Sequence, residues 1–223
     1  MAAVVPRTVG QSLYWSYANL AMAFCAGGDG RSTYQQTDFI VRGKLYYGLL
    51  RGKMELGSFL RDEKEKLDSS DACCYCGSQM DLTLDHLIPK FKGGANSADN
   101  LIVACRPCNS SKRALDLLEW MAKRGEFPPL RLLRRYLKLA IHYCIDNSLM
   151  DVPLGQIEGI SPEPSPLFDN LQMDIALEGP KTAKLNLPFA MALIPHTFPN
   201  LDDLVARVPV AEESDEQRRE SKS

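Results

Sequence analysis

A chain of 223 residues with 45% hydrophobic and 24% charged side chains is long and apolar enough to bury a core, which excludes a wholly disordered or low-complexity protein. The formal net charge of −2 argues against a chain that is basic throughout, yet it averages unlike parts. Residues 1–41 balance at two charges of each sign, residues 42–138 carry 18 Lys+Arg against 12 Asp+Glu, and residues 139–223 carry 6 against 14, so any polyanion is expected on the middle of the chain.

No segment has the length and apolarity of a bilayer span, and no membrane partner is expected. Leu13–Phe24 superficially suggests a signal peptide, with Ala21-Met22-Ala23 resembling a cleavage site. Ser16 and Asn19 interrupt it and only Arg7 precedes it as a cation, so a cytoplasmic location with reduced thiols is expected. Leu13, Tyr17, Leu20 and Phe24 fall at helical spacing and predict a helix over Gln11–Ala26, ended by Gly27-Gly28-Asp29-Gly30. A second helix is predicted over Asp38–Leu50, with Ile40, Val41, Leu45 and Leu49 inward and Arg42, Lys44 and Arg51 outward. The Tyr46-Tyr47 pair beside those cations is either core or a stacking surface for nucleic acid. A third helix, Ser58–Leu67, carries the mixed charge run of a solvated face.

The next stretch holds two Cys-x-x-Cys pairs, Cys73/Cys76 and Cys105/Cys108. Two intervening residues let a knuckle turn aim both thiolates at one ion, and four thiolates suit a closed tetrahedral site for one structural Zn²⁺ per chain. Cys74 breaks this register and is expected to be a bystander. The 28 residues between the pairs exceed the common ribbon spacing, so a folded insert is expected. Leu82–Ile88 alternates apolar and other residues until Pro89, as a half-buried strand does. Lys92–Asn100 is dense in turn formers, Leu101–Ala104 predicts a second, antiparallel strand, and a helix is expected from Pro107.

These elements carry Asp-His-x-x-Pro at 85–89, Gly93-Gly94, Asn100-Leu101 and Cys-x-x-Cys-Asn-x-x-Lys at 105–112. With the first knuckle they resemble an HNH endonuclease of the His-Me finger (ββα-metal) superfamily, in the form with a four-cysteine zinc site. The steps of 14 residues from His86 to Asn100 and 9 from Asn100 to Asn109 resemble those of the nuclease domain in RNA-guided DNA-cutting effectors. The resemblance covers about 40 residues.

That resemblance implies a ββα-metal finger with zinc knuckles, and with the helices and proline-rich segment read from the rest of the chain the expected fold is α+β and mainly helical, the finger embedded in a helical platform and followed by an extended C-terminal arm. The resemblance also implies His86 as general base, a role that a neutral imidazole can fill near pH 7. Asp85 and Asn109 would supply oxygen ligands to one catalytic Mg²⁺ or Mn²⁺, and Asn100 would pin the loop that aims His86. Lys112 is a candidate for neutralising a phosphate, with Lys90, Lys92 and Arg106 as further substrate-binding candidates. The expected function is metal-dependent hydrolysis of phosphodiesters in double-stranded DNA, in a role such as restriction-like or anti-phage defence. An RNase or structure-specific nuclease and a non-catalytic zinc nucleic-acid-binding module are the alternatives.

Beyond the motif, helical character continues over Ala114–Arg124, where Glu119 is spaced to pair with Lys123, and Gly125 stops it. Pro128-Pro129 opens a helix through Asp146 whose inward stripe is Leu130, Leu133, Leu137, Ala140, Ile141 and Cys144. Its cations Arg131, Arg134, Arg135 and Lys138 either track a phosphate backbone or form a wet face. From Asp151 prolines recur among short apolar clusters such as Leu187–Met191, suggesting an arm that orders on its own domain or on a second protomer, a route to a homodimer or larger assembly. Pro-Glu-Pro-Ser-Pro at 162–166 reads as a linker. His142 and His196 are isolated. The expected organisation is 1–70 helical, 71–125 finger, 126–150 basic amphipathic helix, 151–210 arm and 211–223 disordered tail.

Overall fold

Helix α1 (Val9–Gly28) begins where Thr8 accepts a hydrogen bond from the Gln11 N–H at 3.3 Å. Two other first-turn N–H groups find carbonyls of the segment that follows the last helix: Val9 donates to Val152 at 3.0 Å and Gly10 to Met150 at 2.8 Å. Gly10 is required there, because a Cβ would sit 2.9 Å from the Met150 carbonyl oxygen. The computed structural model describes residues 4–57, 71–158 and 185–196. The expected helix over Ser58–Leu67, the linker at 162–166 and the tail at 211–223 lie outside the described residues.

The predicted stripe of α1 holds: Leu13, Tyr17 and Leu20 are buried and Phe24 packs at the margin of the same core. Helix α2 (Gln36–Leu50) forms where expected but is turned about its axis. Leu49 is buried and Leu45 packs against the core as expected, but Ile40 and Val41 face outward, and Asp38 and Tyr46 are buried in their place. The cause is polar and aromatic. Asp38 is held by both Arg31 Nη atoms, at 2.5 and 2.8 Å, while the Arg42 guanidinium lies 4.4 Å from the Trp15 ring centre and Tyr46 meets Trp15 edge-on at 5.2 Å. A stripe containing Asp and Arg escapes a search for apolar periodicity.

Strands β1 (Leu82–His86) and β2 (Leu101–Cys105) pair antiparallel, with Leu82 opposite Cys105 and His86 opposite Leu101. The apolar alternation of β1 predicts Leu82 and Leu84 as its buried face, and the structure reverses it: Leu84 is 57% exposed and Asp85 6%. Thr83 and Asp85 share their face with Ala104 and Ile102, which are core. Burial of Asp85 is sustained by polar partners described below, so hydrophobicity alone misassigns the face. Between the strands, 3₁₀ turns form at Lys90–Lys92 and Ala98–Asn100. Gly94 permits the crossing of the loop, since a Cβ there would lie 1.9 Å from the Ile88 carbonyl oxygen.

Helix α3 (Arg106–Lys112) carries Pro107 in its first turn and ends at Arg113, whose φ of 53° turns the chain. The predicted continuous helix from Ala114 is therefore interrupted. Helix α4 (Leu117–Arg124) starts anew at Asp116, which accepts from the Leu118 N–H at 2.8 Å while Glu119 accepts from the Asp116 N–H at 3.1 Å. Gly125, at φ 65°, ends it as expected. Glu119 also reaches Lys92, 2.6 Å away across the fold, rather than being held by Lys123.

Helix α5 (Leu130–Asp146) buries Leu133, Leu137, Ala140, Ile141 and Cys144 as the periodicity predicts. Its cations do not form one wet face. Lys138 is wholly buried, and Arg135 turns inward to donate to the carbonyls of Asp99 and Ala98 at the end of the finger loop. The described part of the C-terminal arm orders on this same domain: Leu187, Phe189, Met191 and Ile194 are buried in one cluster with α1, the hairpin, α4 and α5. The chain is thus α+β and mainly helical, with a two-stranded finger set on a helical platform.

Candidate active site and metal centre

The finger is closed at its base by sulfur. The Sγ atoms of Cys73, Cys76, Cys105 and Cys108 all lie within 4.8 Å of one another. Cys76 and Cys105 are 3.7 Å apart, against an edge of about 3.8 Å for a tetrahedron with Zn–S bonds of about 2.3 Å. Backbone bonds shape the knuckles: Gly77, at φ 77°, donates to the Cys73 carbonyl at 2.8 Å, and Arg106 donates to Asp81 at 2.8 Å. Cys74 stands outside the cluster, its N–H donating to the Val103 carbonyl at 2.9 Å and so tying the knuckle to β2. Burial, then the Cys105 and Cys76 sulfurs, push the Cys108 thiol up. Four thiols so crowded fit a bound cation, which would hold them as thiolates. The donor set and its spacing fit one zinc ion.

At the other end of β1, Asp85 and His86 lie against α3, which carries Asn109 and Lys112. Asp85 Oδ1 accepts from the His86 N–H at 2.8 Å, and Oδ2 accepts from the Tyr75 hydroxyl at 2.7 Å and lies 3.2 Å from Lys112 Nζ. A carboxylate offers about four lone-pair positions, so these three donors leave one. Burial, reinforced by Asp85, pushes the Tyr75 hydroxyl well up and keeps it a donor. Asn109 donates from Nδ2 to the Leu84 carbonyl at 3.1 Å, which directs the amide's hydrogen-bonding demand inward and leaves Oδ1 as the atom suited to a cation.

His86 is half-buried, and its Nε2 lies 3.1 Å from Asn96 Oδ1. An amide oxygen only accepts, so this pairing calls for the Nε2–H tautomer and leaves Nδ1 as the basic nitrogen. Asn100, 1% exposed, closes the loop beneath it. Its Oδ1 accepts from the Ile88 N–H at 2.9 Å, and its Nδ2 donates to the carbonyls of Ile88 and Ala95, each at 2.8 Å. Its own carbonyl accepts from the Leu87 N–H at 2.9 Å.

The cations divide. Lys90 and Arg106 are exposed. Lys92 is engaged by both carboxylate oxygens of Glu119 at 2.6 Å. Lys112, expected on a phosphate, is 0% exposed; its ammonium donates to the His86 carbonyl at 2.5 Å and faces Asp85. Burial pulls that ammonium below the ordinary lysine range, and Asp85 opposes the pull.

Three participants escape sequence reasoning. Tyr75 lies inside the first knuckle, where only an aromatic between two zinc-binding cysteines hints at a second task. Asn96 is one turn former among many, and Glu119 is spaced for a local partner it does not take. Tyr75 is fixed edge-on against Trp120 at 4.8 Å, so α4 helps aim the hydroxyl that holds Asp85.

Among known families, the HNH endonuclease model matches residues 73–114. No curated protein and no solved structure matches the chain. The matched span contains both knuckles, the hairpin and α3, and a domain of this family implies interaction with nucleic acid and nuclease activity.

Proposed function

We propose that this chain, whose residues 73–114 form an HNH endonuclease domain, is a metal-dependent endonuclease that hydrolyses phosphodiester bonds of DNA. One observation carries the reading. The end of β1 that carries Asp85 and His86 is tied to the helix that carries Asn109, through the bond from Asn109 to the Leu84 carbonyl and the contacts of Lys112 with Asp85 and the His86 carbonyl, and zinc would hold strand and helix together.

In this reading His86 Nδ1 removes a proton from the attacking water, while Asn96 holds the opposite ring nitrogen and so the plane of the imidazole. Asp85 and Asn109 would hold one Mg²⁺ or Mn²⁺; the remaining lone-pair position of Asp85 and the Oδ1 of Asn109 are hard oxygen donors that suit such an ion. When bound, the ion supplies stabilisation of negative charge on the phosphate and on the departing oxygen. Asn100 acts only through the loop, with no atom offered to substrate. Lys90 and Arg106 remain to meet phosphates. The choice of double-stranded DNA and a restriction-like or anti-phage role rest on family resemblance.

The test is cleavage of labelled duplex DNA, single-stranded DNA and RNA with Mg²⁺ or Mn²⁺. Wild type should cut duplex DNA, and His86→Ala should lose about 10²–10⁴-fold in rate. Retention of the wild-type rate by His86→Ala removes the assigned base, and a preference for RNA moves the substrate.

A further inference from the structure

The finger has few cations left for a nucleic acid, since Lys92 is paired with Glu119 and Lys112 is internal. The platform holds others. From Phe39 to Met54 the chain carries Arg42, Lys44, Arg51 and Lys53 and not one acidic residue. Arg42 is occupied on Trp15 and by Asn19, but Lys44, Arg51 and Lys53 are exposed. Together with Tyr47 and Met54 they line a shallow groove of about 500 Å³ on α2.

The groove is built by local backbone. Past α2 the chain reverses, with Lys53 and Met54 both donating to the Gly48 carbonyl at 2.8 and 3.1 Å. Met54 packs directly over Gly48, where a Cβ would lie 2.5 Å from its Sδ and would push that side chain aside. The reversal brings Lys53 to the same groove as Lys44 and Arg51. Tyr47 is 46% exposed on the wall, supported edge-on by Tyr46 at 5.2 Å, with the Arg51 guanidinium 5.6 Å from its ring centre.

We propose that this α2 groove is a second nucleic-acid site, separate from the finger, in which Lys44, Arg51 and Lys53 contact phosphates and Tyr47 stacks on a base. Charge selects the occupant. A second copy of the chain would set these cations against their own counterparts in a two-fold contact, which like-charge repulsion disfavours. A phosphodiester strand matches three cations beside an exposed aromatic platform. The finger would then cut a strand that the platform positions, an arrangement that uses the nuclease reading for its purpose but not for its binding chemistry.

The experiment is fluorescence anisotropy with the full zinc-loaded chain in the His86→Ala background, using labelled single-stranded and duplex oligonucleotides across a salt series without added Mg²⁺ or Mn²⁺. The triple change Lys44→Ala, Arg51→Ala, Lys53→Ala should weaken binding at least about tenfold and reduce the slope of log K against log salt by about 2–3 for duplex. Tyr47→Ala should weaken single-strand binding by about tenfold. Zinc content and circular dichroism matching the parent show that the variants are folded. Unchanged affinity and slope in the folded triple variant overturn the proposal. So does competition by poly-glutamate as effective as that by DNA with Tyr47→Ala silent, which would make the groove a site for acidic protein. A wild type that binds through this groove but cuts nothing sinks the nuclease reading alone, whereas an active nuclease indifferent to the groove sinks this inference alone.

Discussion

The ammonium of Lys112 lies 3.2 Å from the carboxylate of Asp85, inside the finger and out of reach of solvent. The lysine therefore joins α3 to the end of β1 by two bonds at once, one to the carboxylate and one to the His86 carbonyl. Removing one member of a buried pair leaves the other charge uncompensated, at about 3–5 kcal/mol. Lys112→Met should lower stability by that amount in chemical denaturation while leaving little direct effect on the salt dependence of DNA binding. A stable Lys112→Met protein with a flattened salt slope would return the residue to the phosphate.

The four sulfurs of the zinc site lie at the junction of knuckle, strand and helix, so binding of the ion is expected to be folding energy for the finger. Structural zinc sites contribute about 10 kcal/mol or more, comparable with the whole stability of a domain. Cys76→Ser or strong chelation should release one zinc per chain, measured by a colorimetric indicator, and broaden the finger's amide NMR signals. Cys74→Ser should leave one zinc bound.

Asn100 satisfies three backbone groups with one side chain. Asn100→Ala strands the buried N–H and carbonyl of Ile88 and frees the Ala95 carbonyl at the surface, and should cost about 3 kcal/mol. Because the loop also carries Asn96, which holds His86, turnover should fall more steeply than substrate affinity. Thermal denaturation alongside single-turnover cleavage checks both parts; unchanged melting with intact turnover contradicts the pinning role.

Asp116 is buried, and burial raises its carboxyl to about 6 against the opposing hydrogen bonds from the Tyr136 hydroxyl and the Leu118 N–H. Its unfolded value is 3.8, so the fold favours the protonated form. The stabilisation is fully present below about pH 4 and is lost as pH rises through about 6, a change of about 3 kcal/mol at most. Asp116→Asn should remove this slope, read as the difference between the two proteins' unfolding free energies from pH 4 to 7. A constant difference over that range refutes it.

Asp38 behaves oppositely. Its bonds to Arg31 hold the carboxyl down at about 2, so the stability it brings is present above about pH 4 and lost as pH falls toward 2. Arg31→Met should flatten the acid limb of the stability profile between those values, and an unchanged acid limb would deny the pair its role at the start of α2.

Several features of the protein follow from its residues in order. Cysteine spacing predicts the metal cluster because chelation is local to each knuckle, and apolar periodicity places α1 and α5 because their cores are hydrocarbon. Gly125 and Pro128-Pro129 mark helix ends through backbone constraints that need no distant partner. Tertiary structure alone decided the rest: the seat of the C-terminal arm on the apolar core of its own domain, and several faces where a polar group is buried. The turned face of α2 follows from Asp38 and Arg42, the reversed face of β1 from Asp85, and the inward course of Lys112 and Arg135 from carbonyls and a carboxylate far along the chain. A charged side chain is sent inward only when a partner of opposite character waits there, and residue order does not say where that partner will be.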